Sequence, residues 1–239
     1  MEIGNRQCPK GTTGNRVVEA YDFAKLTPMK ARFLPLILLW ILIPVPQRSV
    51  VVRPDLSGPK RLAEWTLDGS GSWDIAEGKL VLAKAGTPAG NIRRPAALAI
   101  LKSELLRRVT IEAQIRSTAP VDVLRRDLDF VVGYQSPTRF YYVHLSGASD
   151  DVHNGIFLVA DADRRRIDSG GAKPQLNDQN WHRVRVVRDG ATGRIEVYVD
   201  NSSAPVMTAV DTAIQAGRVG FGSFDDTGEF REIAVTGTR

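Results

Sequence analysis

The sequence is short of the residues that most often carry chemistry. In 239 residues it has one cysteine, Cys8, and three histidines, His144, His153 and His182. Cys8 lies near the start, so everything downstream has no disulfide, no thiolate nucleophile and no cysteine-built zinc site. The histidines form no His-x-x-x-His pair, which sets aside a helix-borne zinc protease. The main apolar run, Phe33 to Gln47, is 15 residues long and interrupted by Pro35, Pro44 and Pro46, short of the ~20 residues a spanning helix needs. A charge surplus of one sign is also missing where it would count. The chain carries 32 Lys+Arg against 27 Asp+Glu, but residues 1–48 alone hold seven basic and three acidic groups. Residues 49–239 keep 25 basic against 24 acidic groups, which removes most of the electrostatic case for phosphate binding, and no nucleic-acid partner is expected. With 43% apolar content, the chain is a globular protein and not a disordered one.

What is present begins with a leader. The uncharged run follows Lys30 and Arg32, the pattern of a secretory signal peptide. Met29-Lys30-Ala31-Arg32 followed by Phe33-Leu34 makes a conventional start. Residues 1–28 are therefore read as an unstructured extension or a mis-assigned start, and 29–48 as the signal peptide. The protein is expected to be exported: periplasmic, secreted or at the cell surface. No stable membrane span is expected unless the leader stays uncleaved. Cys8, upstream of the apolar core, cannot be a lipidated cysteine, which would follow it.

Residues 49–60, with Pro54, Gly58 and Pro59, read as a linker, and 61–239 as one domain. From Arg61 the pattern is short strands punctuated by Gly, Pro, Asp and Asn. Trp73–Ala83 reads as a hairpin turning at Glu77-Gly78. Val109, Ile111, Ala113 and Ile115 alternate with polar residues, as do Ile195, Val197 and Val199. Further strands are predicted at 128–134, 140–145, 155–160, 182–188, 206–210, 217–224 and 230–236. Residues 96–107 contain good helix formers, yet an all-β context favours a strand. Period-two alternation at near-regular spacing predicts an all-β, antiparallel two-sheet sandwich.

The C-terminal third gives this architecture a family. Trp181-His-Arg-Val-Arg-Val-Val-Arg-Asp189, Gly193-Arg-Ile-Glu-Val-Tyr-Val-Asp200 and Gly217-Arg-Val-Gly-Phe-Gly-Ser-Phe224 follow one another. With Trp73-Asp-Ile-Ala-Glu-Gly-Lys-Leu80, this order resembles the concanavalin A-like lectin/glucanase superfamily. That group includes laminin-G-like modules and the 3-keto-disaccharide hydrolase domain related to family 16 glycoside hydrolases. The resemblance covers about 61–239 and implies a jelly-roll sandwich with a carbohydrate partner. It leaves three functions open: a carbohydrate-recognising module, a glycoside hydrolase acting on a glucan or 3-keto-glycoside, or a structural, adhesive module. The Glu-x-Asp-x-(x)-Glu strand of the family 16 enzymes is not reproduced, since Asp127-Leu-Asp129-Phe-Val-Val has no Glu after its two Asp.

Strand phase then nominates a site. With Tyr141, Val143 and Leu145 inward, Phe140, Tyr142 and His144 face outward. With Leu128, Phe130, Val132 and Tyr134 inward, Asp127, Asp129 and Gln135 do likewise. Aromatic faces stack on sugars, and carboxylates and imidazoles bond hydroxyls or move protons. The following loop adds Asp150, Asp151, His153 and Asn154, whose bland reading is a polar turn. His144, His153, Asp127 and Asp129 are the acid/base candidates. Phe140, Tyr142, Gln135, Asp150, Asp151 and Asn154 are the ligand-binding candidates. No cofactor is expected. The resemblance allows a structural Ca²⁺, for which Asp225 and Asp226 are the candidates, though a type I turn explains them equally. Trp181 and His182 are read as structural, and Arg164-Arg165-Arg166, flanked by Asp161, Asp163 and Asp168, as a solvated turn.

Overall fold

A computed structural model describes residues 48–87 and 90–239. The leader expectations, 1–28 and almost all of 29–48, lie outside the described residues.

Fifteen strands follow in order: β1 (Ser49–Val52), β2 (Trp65–Gly69), β3 (Ser72–Ala76), β4 (Lys79–Lys84), β5 (Ala97–Leu101), β6 (Arg108–Ser117), β7 (Asp127–Ser136) and β8 (Arg139–Ser146). Then come β9 (Gly155–Ala160), β10 (Arg165–Arg166), β11 (His182–Asp189), β12 (Arg194–Val199), β13 (Met207–Val210), β14 (Arg218–Ser223) and β15 (Gly228–Thr238). A 3₁₀ turn, Pro59–Glu64, precedes β2. One antiparallel sheet runs β13-β12-β11-β6-β15-β4-β3, with β1 also on β15; the other runs β10-β9-β8-β7-β14-β5-β2.

Local sequence explains most of these elements. Glu77 (φ 52°) and Gly78 (φ 73°) make the two-residue turn between β3 and β4, because two positive φ values match the twist of a tight hairpin. The alternating residues of β6, β11 and β12 bury Val109, Ile111, Ala113, Ile115, Val184, Val186, Ile195 and Val197. Facing them across the sandwich are Leu128, Phe130, Val132, Tyr141, Val143 and Leu145 of β7 and β8. Phe221 joins both layers, with ring centroids 4.8 Å from Phe230 and 5.1 Å from Phe130. Residues 97–101 are a strand buried at every position, so burial between two neighbours overrides helix propensity.

Two expectations change. Ser49–Val52, read as linker, is a strand paired with β15 from Ser49–Thr238 to Val52–Val235. Its β-branched run outweighs the Pro and Gly that follow. Tyr134, expected beside Leu128, Phe130 and Val132, lies instead on the other face, with Phe140. Against β14, three steps from Val131 to Tyr134 oppose two from Gly220 to Arg218, and Gly133 within them has φ 66°. One extra residue at this bulge reverses the side-chain phase.

The outer face of the β7–β8 sheet carries a second apolar cluster: Leu98, Ile100, Val131, Tyr134, Phe140, Tyr142, Phe157 and Val159, with Ile92 and Phe224 packed on it. This face is covered and not open to solvent.

Candidate functional site

The register of β7 and β8 builds the site. Asp129 pairs with His144 and Asp127 with Ser146, so two carboxylates and an imidazole share the outer face. His144 Nδ1 lies 2.8 Å from Asp129 Oδ1 and 3.6 Å from Asp127 Oδ2. All three are buried, Asp129 at 0% and His144 at 2% exposure. Burial raises both carboxyls well above the usual range, opposed at Asp127 by His144 and at Asp129 by Arg164. Burial pushes His144 down to about 4, against the pull of Asp127. A dry environment disfavours every charged form here. Asp129 Oδ2 and His144 Nε2 are buried without a hydrogen-bond partner, a costly arrangement that marks the spot.

Loops close over this floor. His153 stands 5.6 Å from His144, ring to ring, and its Nδ1 is 2.7 Å from Asp150 Oδ1. Burial works against the Asp150 charge, but the Val152 N–H and the His153 ring hold its carboxyl below the usual value. Arg166 latches the turn, donating to the carbonyls of Asp150, His153 and Asn154 while paired with Asp168. After β14, Phe224 N–H donates to Asp127 Oδ2 at 2.9 Å, and Asp127 N–H donates to Asp226 Oδ2 at 3.0 Å. Arg164 lies 4.1 Å above the Phe224 ring and 5.0 Å from Phe157, and donates to Tyr142 Oη at 3.0 Å. The result is a pocket of about 190 Å³ lined by Arg93, Arg125, Asp127, His144, Val152, His153, Arg164, Phe224 and Asp225.

The acid/base candidates thus converge: His144, His153 and Asp127 line the pocket, with Asp129 directly behind His144. The ligand-binding candidates fare differently. Phe140 and Tyr142 sit on the expected face but are 0% exposed, so neither is an open sugar platform. Tyr142 stacks on Phe157 at 5.2 Å, and alternation alone cannot show that loops cover a face. Gln135 lies past the bulge, bonded to Arg139 and the Ala216 carbonyl. Asn154 is buried in the left-handed region (φ 46°), accepting from Ser146 N–H and donating to the Lys173 carbonyl. It shapes the turn and is not among the residues that line the pocket. Asp150 orients His153, while Asp151 is exposed outside the pocket lining.

The arginine run is also not a simple solvated turn. Arg165 is exposed and pairs with Asp211, but Arg164 and Arg166 fold inward onto Phe157. Sequence reasoning missed Arg93, Arg125, Arg164 and Phe224 as lining residues; no pattern marked Arg93, and Phe224 was read only as the end of a closing strand. Arg164 was masked by balancing Asp residues. Trp181 and His182 are structural as expected: Arg116 and Arg231 flank the Trp181 ring, and His182 bridges Asp178 and Asp200.

Two donor sets have atoms within 4.8 Å of one another: Asp127, Asp129 and His144, and Asp127, Asp225 and Asp226. The second contains both calcium candidates. Three donors fall short of the six to eight oxygens Ca²⁺ takes, and oxygens of Asp127 and Asp226 already accept backbone N–H groups. Among the described residues no helix is long and apolar enough to cross a membrane.

A sandwich of two antiparallel sheets with this strand order has the concanavalin A-like lectin/glucanase fold. No protein-family model matches the sequence, and no curated protein matches it. Solved structures do. The acidic lectin of winged bean, complexed with methyl-α-D-galactose, is similar at 13% identity over 81% of this chain and 100% of that one, with a TM-score of 0.56. The basic winged bean lectin with Tn-antigen is similar at 11% identity over 79% of this chain and 98% of that one, with a TM-score of 0.53. The carbohydrate binding module CBM66 from Bacillus subtilis is similar at 14% identity over 71% and 93%, with a TM-score of 0.50.

Proposed function

We propose that this chain is a carbohydrate-recognising module and that its site is the pocket between Phe224, Arg164, His153 and Asp225. One observation carries the reading. The pocket gathers donors and acceptors of every kind, from Arg93, Arg125, Arg164, the imidazoles and two carboxylates, beside one aromatic ring. A sugar needs that mixture, because its hydroxyls donate and accept while its C–H faces seek an apolar wall. Fold neighbours described with methyl-α-D-galactose or Tn-antigen support it. At about 190 Å³, the pocket is small and takes one terminal sugar residue, not a chain.

The second reading, a glycoside hydrolase, rests on two imidazole–carboxylate pairs facing one pocket. Asp150 holds His153 Nδ1, and Asp129 holds His144 Nδ1, so either ring has a nitrogen left for proton transfer. The leader adds export to both readings; the intact N-terminal mass of the protein in its native host tests it, and a cytosolic species starting at Met1 overturns it. A glycan array with a reducing-end release assay on the full chain tests the function. Binding without release supports the recognition module, and release supports the hydrolase. Neither result on a broad array contradicts both.

A further inference from the structure

We propose that the saccharide taken by this pocket bears an anionic group, a uronic-acid carboxylate or a sulfate ester, received by the guanidinium groups of Arg164, Arg93 and Arg125. The inference rests on the carbohydrate reading of the same pocket and names the class of sugar. It begins from the contrast with three arginines elsewhere whose side chains are paired or hydrogen-bonded. Arg94 is paired with Asp68, Arg126 donates to the carbonyls of Pro120, Val121 and Leu176, and Arg166 is saturated by Asp168 and three carbonyls. Around the pocket the pattern stops. Among the described residues, the side chains of Arg93, Arg125 and Arg164 form no ion pair, although Asp127 and Asp225 line the same space.

Arg164 is also held in place. Its guanidinium lies over Phe224 and Phe157, and one nitrogen donates to Tyr142 Oη. Among the described residues its Nε–H and second terminal nitrogen have no acceptor. Arg93 is tied to the same loop: its N–H donates to Asp163 Oδ1 at 2.8 Å, and Arg164 N–H donates to its carbonyl at 3.0 Å. Two cationic side chains are thus rooted on neighbouring backbone and both line the pocket. The acids of the floor do not serve as their anion. Asp127 accepts the Phe224 N–H, Asp226 the Asp127 N–H, and Asp129 is committed to His144. Asp225, and the Asp127 oxygen not bonded to Phe224, are left to meet hydroxyls. A planar, stacked guanidinium with free N–H groups suits bidentate capture of a carboxylate or sulfate.

The test is calorimetric titration of the full chain with trigalacturonic acid, neutral galactotriose and 6-O-sulfogalactose, in about 20 mM and about 200 mM salt. The expected result is that one anionic sugar binds at least ~10-fold tighter than galactotriose, and that added salt narrows the gap. Arg164→Gln should abolish the preference. Arg125→Gln, at an exposed residue whose loss cannot unfold the domain, should reduce it severalfold. Which anionic probe binds separates carboxylate from sulfate. Galactotriose bound as tightly as both acidic sugars overturns the inference and leaves the carbohydrate reading standing. Inorganic sulfate bound as tightly as 6-O-sulfogalactose overturns it as well, since the sugar would then contribute nothing. No binding of any sugar, on these probes and on the array, removes the carbohydrate reading itself.

Discussion

Replacing Tyr142 by Ala separates a covered sheet face from an open one. Alternation places Tyr142 outward on β8, where the loss of an exposed ring would change stability by no more than ~0.5 kcal/mol. The structure buries it completely, stacked on Phe157 at an interplanar angle of 15° and beneath Arg164. Truncating a buried aromatic costs about 3–5 kcal/mol. The lost hydrogen bond to the half-exposed Arg164 adds about 1 kcal/mol at most. For a domain of this size each kcal/mol lowers Tm by about 2–4 °C, so Tyr142→Ala should lower it by roughly 6–24 °C. Tyr142→Phe keeps the ring and should cost only about 1 kcal/mol. Val143→Ala, on the opposite face in the main core, should cost about 1–3 kcal/mol. Thermal and urea unfolding of the three variants give the comparison. A silent Tyr142→Ala beside a destabilising Val143→Ala would refute the covered face, and with it the pocket the covering loops create.

The His144 ring should stay neutral from neutral pH down to about pH 5, because burial pushes its pKa down to about 4; an NMR titration midpoint near the ordinary ~6.5 would show that water reaches it. Since its folded value lies below the unfolded one, its contribution to stability is present above about pH 6.5 and is lost as pH falls toward about 4. Asp127 and Asp129, raised by burial, act in the opposite sense. Asn154→Ala removes two hydrogen bonds, to Ser146 N–H and the Lys173 carbonyl, at a positive φ. It should cost about 2–4 kcal/mol in urea unfolding, whereas Asp151→Ala should stay within ~0.5 kcal/mol; equal effects would remove the structural role given to Asn154. Arg166→Gln should speed amide hydrogen exchange at Val152 and His153, the turn it latches, and unchanged exchange would show that the turn holds itself.

The legible part of the molecule was the part that local physics decides. Alternation placed β6, β7, β8, β11 and β12 with their core residues, and the Glu77-Gly78 pair placed a hairpin. Asp127, Asp129 and His144 were placed on one face by alternation, and His153 came from the loop that follows β8. What was not legible depends on contacts distant in sequence. Nothing local to Phe140 or Tyr142 reveals that the 92–94 segment, the 161–164 loop and Phe224 lie over them. Gly133 could have signalled the bulge that turns Tyr134 over, since an isolated glycine in a strand often does. Asn154, read from composition as a ligand, is a buried turn residue because its amide suits a left-handed backbone position. Arg164 was hidden by its own neighbours: three Asp beside three Arg look balanced along the chain, while in space Asp168 takes Arg166 and Asp163 takes a backbone N–H.

The central claim, that the pocket on the outer face of the β7–β8 sheet is where a saccharide binds, is tested most directly by following backbone and arginine side-chain NMR signals as a bound glycan from the array is titrated in. The account expects the shifts to concentrate at His153, Arg164, Phe224 and Asp225, with Arg164 Nε–H among the largest. Shifts gathered instead around Trp181 and Tyr198 on the other sheet, with the pocket signals unmoved, would contradict it.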